Sequence, residues 1–112
     1  MAAVANLSID QGSTFTSDIT VKDITGNVFD LTGFTAVAKL AKGYSSTRTR
    51  TAMATTFSTD RTTGVLTISL TADQTSALDP ERYVYDVEIT SGTGTVTRVL
   101  EGIITVRPEV SI

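Results

Sequence analysis

From Tyr83 to Ile89, every second residue is large and apolar. Tyr83, Tyr85, Val87 and Ile89 fall on one face of an extended chain, and Val84, Asp86 and Glu88 fall on the other. A period of two marks a β-strand with one buried face, because successive side chains of a pleated strand point to opposite sides. Residues 83–90 are therefore predicted as a strand, and the rest of the chain must cover its apolar face. Elsewhere Thr, Ser, Val and Ile abound and Gly or Asp recurs at short intervals, the punctuation of many short strands. Thr alternates with buried-type residues and Pro occurs only twice, so a low-complexity stalk does not fit.

The same grammar predicts the other elements. Strands are expected at residues 4–9, 14–22, 34–41, 65–70 and 95–106. Turns are expected at Asp10-Gln11-Gly12, at residues 23–28, at residues 60–64 and at Ser91-Gly92-Thr93-Gly94, where Gly and Asn tolerate positive φ and Asp caps its own backbone. Gly102 is read as a bulge in the last strand, where the phase of the apolar residues shifts. Residues 43–56 give the weakest pattern: Tyr44-Ser45-Ser46-Thr47 is a loop, and residues 48–56 are an edge strand or mobile loop with Arg48 and Arg50 on one face. The one helical signal is Thr71-Ala72-Asp73-Gln74, a capping box that opens a short helix over residues 72–77, which Asp79-Pro80 ends. Tyr83, Tyr85, Val87, Leu66, Ile68, Phe34 and Ile19 are the expected core.

At 112 residues the chain is read as a single domain, 1–112, large enough for a self-sufficient core. The absence of Cys removes thiol chemistry and disulfides, and the absence of His removes the commonest general base and metal ligand. A net charge of −3 with no basic cluster argues against nucleic acid as a partner. No apolar run reaches the ~20 residues of a membrane span, and the first residues lack the basic start of a secretory signal. No membrane, cofactor, metal or small-molecule substrate is expected, and synthesis is placed in a cytoplasm.

Few constellations even suggest chemistry. Asp86 and Glu88 lie on one strand face at ~7 Å by strand rise, a spacing open to a glycosidase or a metal and equally to a solvated face. Arg98 is expected opposite Glu88 if the hairpin register allows. Asp23-Ile24-Thr25-Gly26-Asn27 lacks the alternating acids and distal Glu of a calcium loop and reads as a turn. Ser and Thr have no His to activate them, and Lys22, Lys39 and Lys42 sit in no motif, so no catalytic residue is assigned and the chain is read as non-enzymatic. Tyr83 and Tyr85 could stack on a ligand but at this spacing belong to the core, with hydroxyls reaching backbone at its rim.

Seven or eight strands with one short helix before a tyrosine-bearing strand predict an all-β, immunoglobulin-like antiparallel sandwich, and a tyrosine just after a tight connection resembles the tyrosine corner of such folds. The ordered set Asp10-Gln11-Gly12-Ser13-Thr14-Phe15, Asp30-Leu31-Thr32-Gly33-Phe34-Thr35, Gly64-Val65-Leu66-Thr67-Ile68-Ser69-Leu70-Thr71 and Arg82-Tyr83-Val84-Tyr85-Asp86-Val87, with Glu101-Gly102 downstream, carries a family likeness. It resembles the small immunoglobulin-like virion structural proteins of tailed, cyanophage-type bacteriophages and the N-terminal domain of phage upper baseplate proteins. The resemblance implies a virion component acting through contacts with other virion proteins: a tail or baseplate adaptor, or a capsid-decorating subunit in a multi-copy assembly. With the chain ending at Ile112 just after the last strand, a stand-alone subunit without a fibre, receptor-binding or lysozyme domain is expected. The alternative is a carbohydrate- or receptor-binding module using one end of the sandwich. The nearly uncharged start, residues 1–9, and the tail from Val106 to Ile112 read as arms able to add to a neighbour's sheet, together with residues 43–56.

Overall fold

In this computed structural model the Tyr83 strand forms as its period demands, and two long partners define the larger layer. The structure describes residues 3–45 and 47–111; Met1 and Ala2 of the expected arm, Ser46 of the expected loop and Ile112 of the tail lie outside them. The strands are β1 (Ala3–Val4), β2 (Leu7–Asp10), β3 (Phe15–Thr20), β4 (Thr35–Ala41), β5 (Thr51–Phe57), β6 (Val65–Leu70), β7 (Arg82–Thr90) and β8 (Val96–Arg107), with the helix α1 (Ala72–Ser76) between β6 and β7. β7 lies antiparallel between β4 and β8, and β1 and β2 add in parallel to the far side of β8. The smaller layer is β5-β6-β3, all antiparallel.

β5 belongs to both layers. Its first residues pair with β4 (Ala38 with Met53, Leu40 with Thr51) and its last with β6 (Ala54 with Ser69, Phe57 with Leu66), so the sheet folds over along this strand. By strand order the chain is an immunoglobulin-like β-sandwich: β3, β6 and β5 take the places of B, E and D, β4, β7 and β8 those of C, F and G. Both halves of the edge-strand-or-loop reading of residues 43–56 are found. Residues 51–57 are a strand that joins the two layers and is paired on one side at a time, and Arg48 and Arg50 lie in the loop before it, where the Arg50 guanidinium donates to the carbonyls of Tyr44, Ser45 and Arg48.

Between the layers lies one apolar cluster, with Leu66, Ile68 and Val87 fully excluded from solvent and Tyr83, Tyr85 and Ile89 nearly so. Phe34 and Ile19 pack on its margin, and Phe34 meets Phe29 edge to face at 5.4 Å between centroids. The capping box is formed: the Thr71 hydroxyl accepts the Gln74 N–H and the Gln74 side chain accepts the Thr71 N–H. Tyr83 makes the corner, its hydroxyl donating to the Asp79 carbonyl at 3.0 Å, even though Pro80-Glu81 stands in the connection.

Two sequence readings are corrected at β8. The register slips between Val87, opposite Leu100, and Glu88, opposite Arg98, so Val99 is the bulged residue and not Gly102. Gly102 sits in regular pairing opposite Tyr85, and its missing side chain serves another purpose: a Cβ there would overlap the carbonyl of Ala5. Tyr85 completes the clamp by donating its hydroxyl to that same carbonyl at 2.7 Å, while the Ala5 N–H bonds Glu101 and Asn6 Oδ1 accepts the Ile103 N–H. This is why the single strand expected at residues 4–9 breaks into β1 and β2. Residues 3–10 are thus spent on the chain's own sheet, which removes them from the role of a free arm. Beyond Pro108 the tail is held in turn, its Glu109 N–H bonding Gln11 Oε1 at 3.1 Å.

Val87→Ala is expected to lower unfolding free energy by about 1–3 kcal/mol through lost burial and a cavity. Gly102→Ala is expected to cost about 1–3 kcal/mol by overpacking, and in addition to speed hydrogen exchange at the Ala5 amide. Denaturant titrations with exchange rates check both; wild-type behaviour of Gly102→Ala contradicts the clamp.

Candidate functional site

Alternation along the larger layer sends Val84, Asp86, Glu88 and Thr90 of β7 outward, and the register aligns neighbours with them in rows. Ile103, Val84 and Ala41 make an apolar row. Glu101, Asp86 and Lys39 make a charged one, with Val4 beside Glu101, and Arg98, Glu88 and Val37 make a mixed one. Val37 is 49% exposed, Ile103 39% and Val4 72%, so this face shows water more aliphatic surface than a solvated strand face requires. Over one side of it the loop braced by Arg50 carries Tyr44, 73% exposed, which closes a shallow groove with Val37, Lys39, Val84, Asp86 and Glu88.

The candidate carboxylates Asp86 and Glu88 both lie on this face. The Arg98 guanidinium bridges Asp86 at 3.4 Å and Glu101 at 3.2 Å. Arg98 lies opposite Glu88 in backbone register, as read from the sequence, yet its side chain turns to the two carboxylates in the adjacent row. Among the described residues, no group of three or more acidic side chains is placed to hold a metal ion. No helix of the described residues is long and apolar enough to cross a membrane.

Most of the other sequence candidates are held in local contacts. Asp23 Oδ1 accepts the Thr25 hydroxyl at 2.6 Å, the Thr25 N–H at 2.9 Å and the Asn27 N–H at 3.1 Å, which consumes that oxygen within the turn. The same Asp-x-Thr device recurs at Asp30 with Thr32 and at Asp60 with Thr62, each hydroxyl bond again at 2.6 Å. Lys42 pairs with Asp79 at 2.6 Å and Glu81 at 3.3 Å; Lys39 and Glu88 enter no ion pair among the described residues, and Lys22 only a backbone bridge to Val28. Tyr83 and Tyr85 are core, as expected, and burial pushes the Tyr85 hydroxyl up to about 12.

Sequence reasoning missed Thr75. It is fully buried on α1; its hydroxyl accepts the Gly12 N–H at 3.0 Å and lies 2.9 Å from the Ser13 carbonyl, pinning the helix to the β2–β3 turn. Nothing local announces this role, because the contact spans 63 residues of sequence. The apolar row is equally invisible in sequence, since it needs the register of three strands.

No protein-family model matches this chain, and no curated protein matches it. Among solved structures it is similar to an internalin-like protein of Listeria monocytogenes, at 19% identity and a TM-score of 0.49 over 95% of this chain and 28% of that one. It is also similar to a chain from a study of multimeric cell-adhesive interactions of VGSC beta subunits, at 12% identity and a TM-score of 0.47 over 95% of this chain and 92% of that one. This chain therefore spans less than a third of the Listeria protein's length.

Hydrogen bonds from the Thr hydroxyls hold the carboxyls of Asp23, Asp30 and Asp60 below their ordinary 3.8. A carboxyl depressed in the fold adds stability that is complete above its unfolded pKa and is lost as pH falls through the folded value. Loss through these turns is therefore expected to begin below pH 3.8. At the alkaline end, Tyr85 is raised from 10.0 to about 12, so its contribution is whole below pH 10 and fades between 10 and about 12. Thr25→Val, Thr32→Val and Thr62→Val are expected to raise the pKa of the matching Asp in carboxyl NMR titrations; unchanged values contradict the hydroxyl as cause.

Proposed function

We propose that this chain is a non-enzymatic structural subunit of a tailed-phage particle, a tail or baseplate adaptor or a capsid-decorating subunit, that acts by docking the outer face of its larger layer onto other virion proteins. The observation that carries the reading is the group of exposed aliphatic side chains Ile103, Val37 and Val4 around the half-buried Val84, bordered by charges of both signs. Interfaces of this kind combine an aliphatic centre with a polar rim, and surface of this composition gains by leaving water. The family likeness of the turn-and-strand strings supplies the setting, because a fold of this type serves many functions and cannot choose among them. The expected chemistry of the partner surface is apolar at its centre, with an acidic group for Lys39 and a basic one for Glu88.

A second reading, a carbohydrate- or receptor-binding module, draws on Tyr44. Its exposed ring stands beside the groove that holds Asp86 and Glu88, the combination of an aromatic platform with hydrogen-bonding carboxylates that a sugar uses.

Cryo-electron microscopy of intact particles is expected to place the chain on the virion with Val37 and Ile103 at a protein contact. The double variant Val37→Lys, Ile103→Lys, which sets a cation opposite Glu88, is expected to stay folded at a cost of about 1–2 kcal/mol for the covered part of Ile103 and to be lost from purified particles. Normal incorporation of the folded variant, or absence of the wild-type chain from particles, removes the proposal. For the second reading, amide shifts at Lys39 and Glu88 that saturate with a neutral oligosaccharide and vanish in Tyr44→Ala are the expected sign; no shift at millimolar sugar eliminates it.

A further inference from the structure

β3 has a strand on one side only. Both pieces of the first strand of the fold, β1 and β2, run parallel to β8, so β3 ends the smaller layer with β6 as its only strand neighbour among the described residues. The Val21 N–H bonds the Gly64 carbonyl. By the alternation of an antiparallel ladder, the main-chain groups of Phe15, Ser17 and Ile19 then turn toward β6, and those of Thr16, Asp18 and Thr20 face the open edge.

Of the usual protections this edge carries a single charge, Asp18, whose carboxylate accepts the Thr67 hydroxyl of the neighbouring β6. Phe15–Thr20 contains no Pro and no Lys, and its pairing with β6 runs without a register shift. The opposite border is blunted: β1 and β2 are two and four residues long and are interrupted at Ala5 and Asn6. On the inner face of β3, Phe15, Ser17 and Ile19 are only half-buried, although Phe15 and Ile19 pack on the core cluster. These are core side chains with one flank uncovered.

We infer that this edge pairs with the β3 edge of a second copy of the chain, antiparallel about a two-fold axis at Ser17. That register sets Thr16 opposite the second copy's Asp18, Asp18 opposite its Thr16, and Phe15 opposite its Ile19, while Ser17 meets Ser17. The open-edge groups of Thr16 and Asp18 bond one another, and an aromatic–β-branched pair covers each bare flank. Neighbouring registers fail on the same sequence. An axis at Asp18 opposes two carboxylates, and an axis at Thr16 or Ile19 leaves Phe15 against Ser17 or against Asp23. The contact is isologous and self-limiting, since pairing consumes the edge in both copies. One strand pair is small beside the roughly 800 Å² per partner of a standard interface, so the association is weak when the chain is alone and is read over a concentration series.

The axis gives a direct test in a chain without Cys. Ser17 faces its copy in a non-hydrogen-bonded pair, about 4.5 Å between Cα atoms, inside the roughly 4.4–6.8 Å span of a disulfide. Under mild oxidation Ser17→Cys is expected to give a covalent dimer. Thr20→Cys, about 20 Å from its own copy by strand rise, is expected to stay monomeric. In sedimentation equilibrium the wild-type mean mass is expected to rise with concentration. Thr16→Asp, an exposed change that opposes Asp18 twice, is expected to weaken association at least about tenfold, and Thr16→Lys to preserve or tighten it. A wild-type chain that stays monomeric to millimolar concentration, or cross-linking of Ser17→Cys no faster than of Thr20→Cys, overturns the inference, and either result leaves the docking face of the larger layer untouched.

Discussion

The carbonyl of Ala5 sets how the first strand of this molecule docks on β8. It accepts the Tyr85 hydroxyl and lies where a side chain at residue 102 would be, so the first strand docks on β8 only because Tyr85 reaches it and Gly102 admits it. A hydrogen bond of this sort contributes about 1 kcal/mol net, but its removal leaves a polar group stranded against the core. This contact sits at the break between β1 and β2; farther along, the β2–β8 register brings Asp10 to Arg107 in an ion pair at 2.8 Å, and Gln11 bonds both Leu78 and the tail. The bare edge of β3 is the other side of the same choice, because a first strand committed to β8 cannot cover it.

Local chemistry makes much of the fold legible. The period of β7 and of Leu66, Ile68 and Leu70 in β6 requires only alternation, and the capping box at Thr71 and Gln74 requires only four residues in the right order. The Asp-x-Thr turns are self-contained, with carboxylate, hydroxyl and N–H all within three residues. Signals of this reach survive in a single sequence, since nothing distant has to be known to evaluate them.

The misread positions are those decided across the sandwich. Gly102 reads as a bulge because Gly in a strand marks either a bulge or a close approach of backbone, and only the docked Ala5 distinguishes them. β5 reads only as an edge strand or loop because Thr and Arg punctuate it; that it passes from one layer to the other depends on where β4 and β6 lie. Arg61 illustrates the same limit. Its guanidinium stacks 4.1 Å over Phe57 at the end of β5 and donates to the Phe34 carbonyl at 2.8 Å, tying the β3–β4 connection to the β5–β6 turn from a position that reads as an ordinary turn residue.

Placement of the two candidate surfaces has a consequence for assembly. The apolar row belongs to β4, β7 and β8, whereas the open edge belongs to β3, and the two sets of strands lie in different layers joined through β5. Substitutions on one need not disturb the other, since neither shares side chains with its counterpart. A subunit that closes a two-fold through its smaller layer still offers the outer face of the larger one in both copies, so it presents two equivalent docking faces in fixed relation. Bivalence of that kind raises effective affinity without new contacts wherever both faces engage at once, so on the proposed dimer two modest aliphatic patches would bind a shared partner more tightly than either does alone.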